Sequence, residues 1–207
     1  MAEMSGNLTD NEIVSLVIEG DRKAFSTLVK RHQKPLLRLA YRFVKDLDAA
    51  EDVVQESFIK AYERLSSFEA RSTFKSWLFQ ICVNTAKNKL RDRRDDMSDI
   101  DDVPLAVNAQ AEAALVHNAV SQLIQTHVDQ LPFKQKTALV LRIYEDMSFK
   151  EIAEVMDCPY DTAKANYRHA LMRLKEELSS NKELAQWTQE MNTFFTEINR
   201  RVAEVES

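Results

Sequence analysis

Basic, amide and aromatic side chains recur between residues 68 and 94 in a pattern suited to binding a nucleic-acid strand. Gln80, Asn84, Lys87 and Arg91 lie at positions i, i+4, i+7 and i+11, so a helix would carry them along one side. The same stretch ends in KNKLRDRR, the densest positive run in the chain. Cations neutralise phosphates and aromatic rings stack on bases, so this stretch predicts contact with DNA.

A second candidate for DNA contact lies near the other end of the chain. Ser148 and Glu151 have capping-box spacing before FKEIAEVM, and Asp157, Cys158 and Pro159 break that short helix. A longer helix is predicted from about Tyr160, and two helices joined by a turn of this size are the layout of a helix-turn-helix. The side chains that could reach a groove are those of Lys164, Ala165, Asn166, Arg168 and His169.

A third group of polar residues is acidic. A helix predicted over Ala50 to Leu65 has one apolar stripe, formed by Val54, Phe58, Ala61, Tyr62 and Leu65. Its opposite face has Asp52, Gln55, Glu56 and Glu63. Such a face is either simply solvated or a docking surface for a basic partner, and the residue types alone leave both interpretations open.

Other chemistries find little support in the sequence. The 207 residues include only two glycines, Gly6 and Gly20, and neither belongs to a phosphate-binding loop. Cys82 and Cys158 form no CxxC pair, and the four histidines show no ligand or triad spacing. We therefore predict no metal, no cofactor and no enzymatic activity. We find no signal-peptide pattern and no apolar run of membrane-spanning length, and we expect a cytoplasmic protein with reduced thiols.

The formal net charge of −5 conceals a strong separation of charge along the chain. Residues 21–94 carry seventeen Lys and Arg against nine Asp and Glu, whereas residues 95–130 carry seven acids and no Lys or Arg. A polyanion would respond to the local basic segment rather than to the total. The acidic, proline-containing stretch from Asp95 to about Asn108 lacks helical periodicity, which predicts a flexible linker.

These patterns predict an all-α fold of two helical domains joined by a flexible acidic linker, the second a four-helix domain with the helix-turn-helix. Thr9 and Glu12 cap a first helix, Gly20 ends it and Asp21 caps the next. A third helix is predicted over Lys34 to Lys45. Ser72 or Thr73 caps the helix that begins at Phe74, whose inner side carries Phe74, Leu78, Ile81 and Thr85.

The ordered set of these segments resembles the extracytoplasmic-function, or group IV, sigma factors of bacterial RNA polymerase. The resemblance rests on three segments and spans about residues 10–178. They are DAAEDVVQESFIKAYERL, FKSWLFQICVNTAKNKLRDRR and LPFKQKTALVLRIYEDMSFKEIAEVMDCPYDTAKANYRHALMRLKEEL. It implies sigma region 2 over residues 1–94, an acidic linker over 95–125, region 4 over 126–178 and a C-terminal amphipathic extension over 179–207.

The resemblance also implies roles for particular residues. Asp52, Gln55 and Glu56 match the surface that binds the clamp coiled coil of the polymerase's largest subunit. The loop from Ser66 to Thr73 and the following helix match the part that melts the minus-ten element and holds a flipped base. The residues implied there are Phe68, Arg71, Asn84, Lys87 and Arg91, whereas Phe74 and Trp77 are expected mainly to pack in the core.

The helix-turn-helix matches the part that reads the minus-thirty-five element, with Lys164, Asn166, Arg168 and His169 as the residues implied. This chain has Ala165 and Asn166 where family members often have Ser and Arg. Asn pairs bidentately with adenine whereas Arg prefers guanine, so the preferred element is expected to differ.

The function implied is a dissociable promoter-specificity subunit with core polymerase, promoter DNA and an anti-sigma factor as partners. The alternative is a stand-alone helix-turn-helix regulator whose N-terminal domain dimerises or senses a ligand. The two differ in the acidic helix face, which only the first requires for polymerase binding.

Overall fold

A computed structural model describes residues 8–69, 71–96 and 124–180, and within these ranges the chain forms helices and turns with no strand. A short helical segment over residues 124–129 precedes the fifth of the longer helices. The longer helices are α1 (Asp10–Ile18), α2 (Phe25–Val44), α3 (Leu47–Glu63), α4 (Phe74–Asp96), α5 (Phe133–Tyr144), α6 (Phe149–Met156) and α7 (Tyr160–Ser180). The predicted all-α class is confirmed. Most of the predicted linker over 95–125 and of the extension over 179–207 lies outside the described residues.

The described parts of the chain divide into two compact units. One contains α1 to α4 together with Lys150–Cys158, and the other contains the segments 124–149 and 159–180. In the first unit α2, α3 and α4 pack pairwise against one another. Their shared core is formed by fully buried side chains such as Leu28, Leu36, Val53, Leu78 and Phe79.

Both ends of α1 follow the sequence prediction. The Thr9 side chain accepts a hydrogen bond from the Glu12 N–H, and the Glu12 carboxylate accepts one from the Thr9 N–H at 2.7 Å. At the other end Gly20 has φ +115, and the Asp21 N–H donates to the Leu16 carbonyl at 2.9 Å. This is a Schellman motif, in which glycine supplies the left-handed backbone. Asp21 then caps a 3₁₀ turn over Arg22–Ala24 rather than an α-helix.

The prediction of a separate helix beginning at Lys34 was wrong, because α2 starts at Phe25 and continues past Pro35. Proline removes one backbone hydrogen bond and disfavours a helix interior by about 3 kcal/mol. The apolar stripe continues across it, since Leu28 and Leu36 are both fully buried. Burying each leucine stabilises by about 1.5–3 kcal/mol, so burial offsets the cost of the proline.

The helix predicted over Ala50 to Leu65 is α3, which begins earlier and ends two residues sooner. Asp46 accepts a hydrogen bond from the Ala49 N–H at 2.7 Å and so caps the helix start. Leu65 is buried in a 3₁₀ turn over Leu65–Ser67. The predicted apolar stripe is buried except for Tyr62, whose side chain is exposed and packs edge-on against Phe25.

In the second unit, α5 and α7 pack against each other around Phe149. The Phe149 ring contacts Tyr160 and Tyr167 edge-on, and the Arg142 guanidinium lies 5.3 Å from its centroid. Arg142 is itself buried and donates to the Met147 carbonyl at 2.8 Å. These contacts fix the turn between α5 and Phe149, the residue at which α6 begins. Asp157, with φ 47, then ends α6 as predicted.

Tyr167 carries a testable energetic consequence. Its ring is 2% exposed, and its hydroxyl has no hydrogen-bond partner within the described residues. Burial raises the pKa of the hydroxyl to about 12 from its ordinary value of 10.0. Because an unpartnered buried hydroxyl destabilises a fold, we expect Tyr167→Phe to stabilise the protein by about 1 kcal/mol at pH 7.

The raised pKa of Tyr167 adds a dependence on pH. The unfolded tyrosine loses its proton near pH 10 and the folded one only near pH 12, so stability is present below pH 10 and falls as pH rises to 12. The loss is up to about 2 kcal/mol, and Tyr167→Phe should remove this part of the alkaline destabilisation. Urea unfolding of both proteins at pH 7, 10 and 11.5 measures it. A destabilised Tyr167→Phe variant would show that the hydroxyl is bonded.

Candidate nucleic-acid interface and acidic face

A cavity of about 310 Å³ lies where the C-terminal end of α3 meets the side of α4. We call it the α3–α4 cavity. Most of its lining is polar, and Trp77 forms the aromatic part of its wall. The lining residues are Lys60, Arg64, Ser67, Trp77, Gln80, Ile81, Asn84, Thr85 and Asn88.

Local backbone structure holds the two sides of this cavity in place. Arg64 ends α3, and its carbonyl accepts a hydrogen bond from the Ser67 N–H at 2.9 Å. On the other side the Thr73 hydroxyl accepts from the Ser76 N–H at 3.1 Å and so caps α4, as predicted for Ser72 or Thr73. The cavity is therefore bordered by two fixed turns.

An aromatic cluster supports the Trp77 wall. The Phe68 ring lies 5.2 Å from Trp77 and 5.9 Å from Phe74, and Phe74 is 1% exposed. Core packing is thus confirmed for Phe74. Trp77 packs on the same cluster, but it is only half-buried and also lines the cavity. Phe68 packs against Trp77 and is not itself among the lining residues.

Some polar side chains that line the cavity form hydrogen bonds or ion pairs within the protein, and others do not. Gln80, Asn84 and Asn88 lie at i, i+4 and i+8 on α4, and their amides make no side-chain hydrogen bond within the described residues. Lys60, in contrast, forms an ion pair with Glu56 at 2.6 Å and donates to the Thr85 hydroxyl at 3.3 Å. Three amides are therefore available for a ligand.

Of the five residues that the resemblance implies for minus-ten contact, only Asn84 lines the cavity, together with Gln80 from the same predicted side of the helix. Lys87 and Arg91 are exposed further along α4, and Arg91 lies 3.4 Å from the Asp92 carboxylate. Arg71 is exposed in the loop and forms an ion pair with Glu69 at 2.6 Å. The structure therefore brings Asn84 and Trp77 together in the lining of one cavity and leaves these three cations outside that lining.

Sequence reasoning missed Lys60, Arg64 and Asn88. Lys60 belongs to α3 and Arg64 is its C-cap residue, and nothing in the sequence of that helix indicates that the two face α4. A signal did exist for Asn88, which lies one turn beyond Asn84.

The acidic face, defined as Asp52, Gln55 and Glu56, is exposed on α3 as predicted. Asp52 pairs with Lys89 of α4 at 3.1 Å, and Glu56 pairs with Lys60. Ile59 lies one turn further along and is 58% exposed, so an apolar side chain adjoins the acidic face. Sequence reasoning did not single out Ile59.

Helix α7 carries the four residues predicted for the second DNA contact. Arg168 and His169 are exposed, whereas Lys164 and Asn166 are half-buried. The Lys164 ammonium lies 6.0 Å from the Phe149 ring centroid, and the Asn166 amide donates to the Thr162 carbonyl at 2.8 Å. The Asn166 amide must therefore break this hydrogen bond to the Thr162 carbonyl before it can bond a base through both of its polar atoms.

The part of the chain that the structure describes contains neither a candidate metal site nor a candidate membrane span. No group of three His, Cys, Asp or Glu side chains there could hold a metal ion. No helix there is both long and apolar enough to cross a membrane.

Comparisons with known proteins match two successive parts of the chain. Residues 28–95 match the Sigma-70 region 2 family and residues 121–174 match Sigma-70 region 4. The ECF RNA polymerase sigma-E factor of Escherichia coli is 40% identical over 174 residues, which are 78% of this chain and 90% of that protein. The RNA polymerase sigma-H factor of Pseudomonas aeruginosa is 39% identical over 167 residues, covering 75% of this chain and 86% of the relative.

Solved structures give the same fold. The sigma factor RpoE of Bartonella quintana, in complex with the anti-sigma factor NepR, is 27% identical with a TM-score of 0.59, covering 77% of this chain and 99% of that one. CnrH, in complex with the cytosolic domain of CnrY, is 23% identical with a TM-score of 0.63 over 84% of this chain and 99% of its own, and supports the fold alone. With both sigma regions matched in order and relatives about 40% identical over most of their length, the chain belongs to the sigma-70 family as an extracytoplasmic-function sigma factor.

Proposed function

We propose that this protein is a dissociable subunit that binds core RNA polymerase and directs it to particular promoters, with no catalytic activity of its own. One observation carries the proposal. Helix α3 presents the exposed acidic face along its length and contributes Lys60 and Arg64 to a cavity lined by Trp77 and unengaged amides. A single helix thus offers chemistry for a basic protein partner and chemistry for an unpaired base.

The α3–α4 cavity suits an unstacked base of the minus-ten element. Such a base needs an aromatic surface to replace the stacking that it loses, and Trp77 supplies one. The amides of Gln80, Asn84 and Asn88 can bond a base edge. Lys87 and Arg91, exposed on the same helix, are placed to neutralise the backbone of the strand.

The acidic face suits the basic clamp coiled coil of the polymerase's largest subunit. Asp52 and Glu56 supply negative charge, and Gln55 between them can accept and donate hydrogen bonds. Charge complementarity of this kind speeds association and excludes acidic partners. The exposed Ile59 adds apolar area at the edge of the same face.

In the second unit, α7 is the helix proposed to enter the major groove of the minus-thirty-five element. Arg168 and His169 reach outward from its exposed side. Lys164 and Asn166 flank them. The domains we propose are region 2 over 1–94, the linker over 95–125, region 4 over 126–178 and the extension over 179–207.

We further propose that the protein works in the cytoplasm under the control of an anti-sigma factor. A structural relative of 27% identity is bound to the anti-sigma factor NepR, which supports this kind of regulation. The stand-alone regulator is not favoured, because it gives no reason for a match to Sigma-70 region 2 over residues 28–95.

Transcription in vitro with purified core polymerase and a promoter library tests the proposal. We expect initiation at a small set of promoters sharing minus-thirty-five and minus-ten elements, and none with core polymerase alone. Specific DNA binding by the chain without any initiation would support the stand-alone regulator instead.

A smaller effect is expected at Asn166. We predict that Asn166→Ala relaxes selection at one base pair of the minus-thirty-five element by about 1–3 kcal/mol and leaves the other positions unchanged. Titration of upstream variants at one fixed salt concentration measures this. Lys175→Ala is the control, because it removes an exposed cation of α7 outside the four implied residues and should affect all variants alike. An equal loss at every variant for Asn166→Ala would contradict the base-reading role.

A further inference from the structure

We infer that Arg64 makes the α3–α4 cavity selective for guanine. The inference rests on the proposed function, in which the cavity takes an unstacked base. It adds the identity of the base and the residue that selects it.

The backbone of Arg64 is fixed while its guanidinium is uncommitted. Its N–H donates to the Lys60 carbonyl at 3.1 Å, and its carbonyl accepts from the Ser67 N–H and from the Ser67 hydroxyl at 2.7 Å. Yet the guanidinium forms no ion pair within the described residues. Arg31, Arg71 and Arg91 each lie beside a carboxylate. Arg64 is thus an arginine held at the edge of a cavity with its donors unused.

The charges of the lining favour a base edge made of acceptors. Lys60 and Arg64 are both cations, and no carboxylate is among the lining residues. Guanine presents O6 and N7, two adjacent acceptors that match the fork of an arginine. Adenine places its N6 amino group where guanine has O6, so a donor would face the guanidinium.

The pyrimidines fit the fork less well. Thymine offers a single carbonyl oxygen on its major-groove edge, and cytosine offers an amino group there. A purine also covers more of the Trp77 ring than a pyrimidine does. An unpaired cytosine also exposes two neighbouring acceptors, O2 and N3, but its single ring covers less of Trp77. Guanine is therefore the base that combines a pair of acceptors with the larger stacking area.

The three amides of the cavity do not discriminate between bases, so the selectivity depends on Arg64. Gln80, Asn84 and Asn88 each carry one acceptor and two donors, so they can bond any base by rotating. Lys60 is already engaged by Glu56 and Thr85. Arg64 is the lining cation that has no partner in the described residues, so its fork decides between the bases.

The test uses the full chain assembled with core polymerase and fluorescein-labelled single strands of six nucleotides. Each strand is thymine except at one position, which carries guanine or adenine, and all six positions are compared. We expect the wild type to prefer guanine over adenine about tenfold at one position, within the range of a bidentate arginine contact.

Three substitutions of Arg64 separate its charge from its fork. Arg64→Ala should bring the guanine-to-adenine ratio close to one. Arg64→Lys should keep the affinity for the all-thymine strand but lose the preference, since lysine is a point charge. Arg64→Gln should reverse the preference, because glutamine pairs bidentately with adenine. Arg64 is exposed, and equal helical circular dichroism of all variants checks that they fold.

Lys87→Ala is the matched control, since it removes one exposed cation of the same unit and should weaken all strands equally. Strand binding with no guanine preference, or with a preference that survives Arg64→Ala, would overturn the role of Arg64 and leave the proposed function standing. Assembly with polymerase but no binding of any strand would overturn the base cavity, and this inference with it.

Discussion

Reversing the charge of the acidic face, with Asp52→Lys and Glu56→Lys together, is expected to weaken binding to core RNA polymerase about a hundredfold, or roughly 2.7 kcal/mol. The cause is repulsion, since two lysines would meet the basic side chains proposed on the clamp coiled coil. The fold should survive, because the pairs that Asp52 and Glu56 make with Lys89 and Lys60 lie at the surface and are partly exposed, and surface pairs contribute about 0–1 kcal/mol.

Binding of labelled core polymerase, measured at 0.1 M salt, tests this prediction. The matched control is Glu19→Lys with Glu176→Lys, which makes the same change in net charge at two exposed carboxylates far from this face in sequence. We expect the control to bind polymerase within about twofold of the wild type. If both double variants lose affinity equally, net charge rather than the acidic face governs association.

Trp77→Ala is expected to produce the second large effect, a loss of about 10-fold to 100-fold in affinity for the single-stranded minus-ten element. Stacking of one base on an aromatic side chain is worth about 1–3 kcal/mol, and Trp77 is the aromatic residue that lines the α3–α4 cavity. Binding to the intact minus-thirty-five duplex should not change. The measurement is the affinity of the assembled polymerase for each of the two DNAs.

The same substitution also removes a packing partner of Phe68 and Phe74, so stability must be separated from recognition. Trp77→Phe provides that separation, because it keeps a ring for the base and for the cluster. We expect Trp77→Phe to restore most of the affinity, while chemical unfolding reports the packing loss of each variant. Wild-type strand affinity in a folded Trp77→Ala protein would exclude stacking on this residue.

Much of the fold follows from local patterns in the sequence. The capping box at Thr9 and Glu12, the left-handed Gly20 and the break after α6 each depend on residues within one turn of one another. Such features can be predicted from the sequence because they are determined by residues that are close together in it. The continuity of α2 across Pro35 is different, since it depends on burial against α3 and α4.

The candidate site was less predictable, because it also depends on packing between helices that are distant in sequence. Helical periodicity indicated which side of α4 is polar and so found Gln80 and Asn84. It gave no information about which residues of α3 border the same cavity, so Lys60 and Arg64 were missed. Ile59 was overlooked because a sequence pattern gives no measure of exposure for a single isoleucine outside the apolar stripe.

The contacts of Lys60 have a consequence for genetics. Lys60 links Glu56 of the acidic face to Thr85 of the cavity wall, whereas Gln55 has no such link among the described residues. An allele at Glu56 should therefore be pleiotropic, with defects whose severity differs from promoter to promoter and with second-site suppressors at residues 60 or 85. An allele at Gln55 should instead depress all target promoters to a similar degree, with suppressors arising in the polymerase.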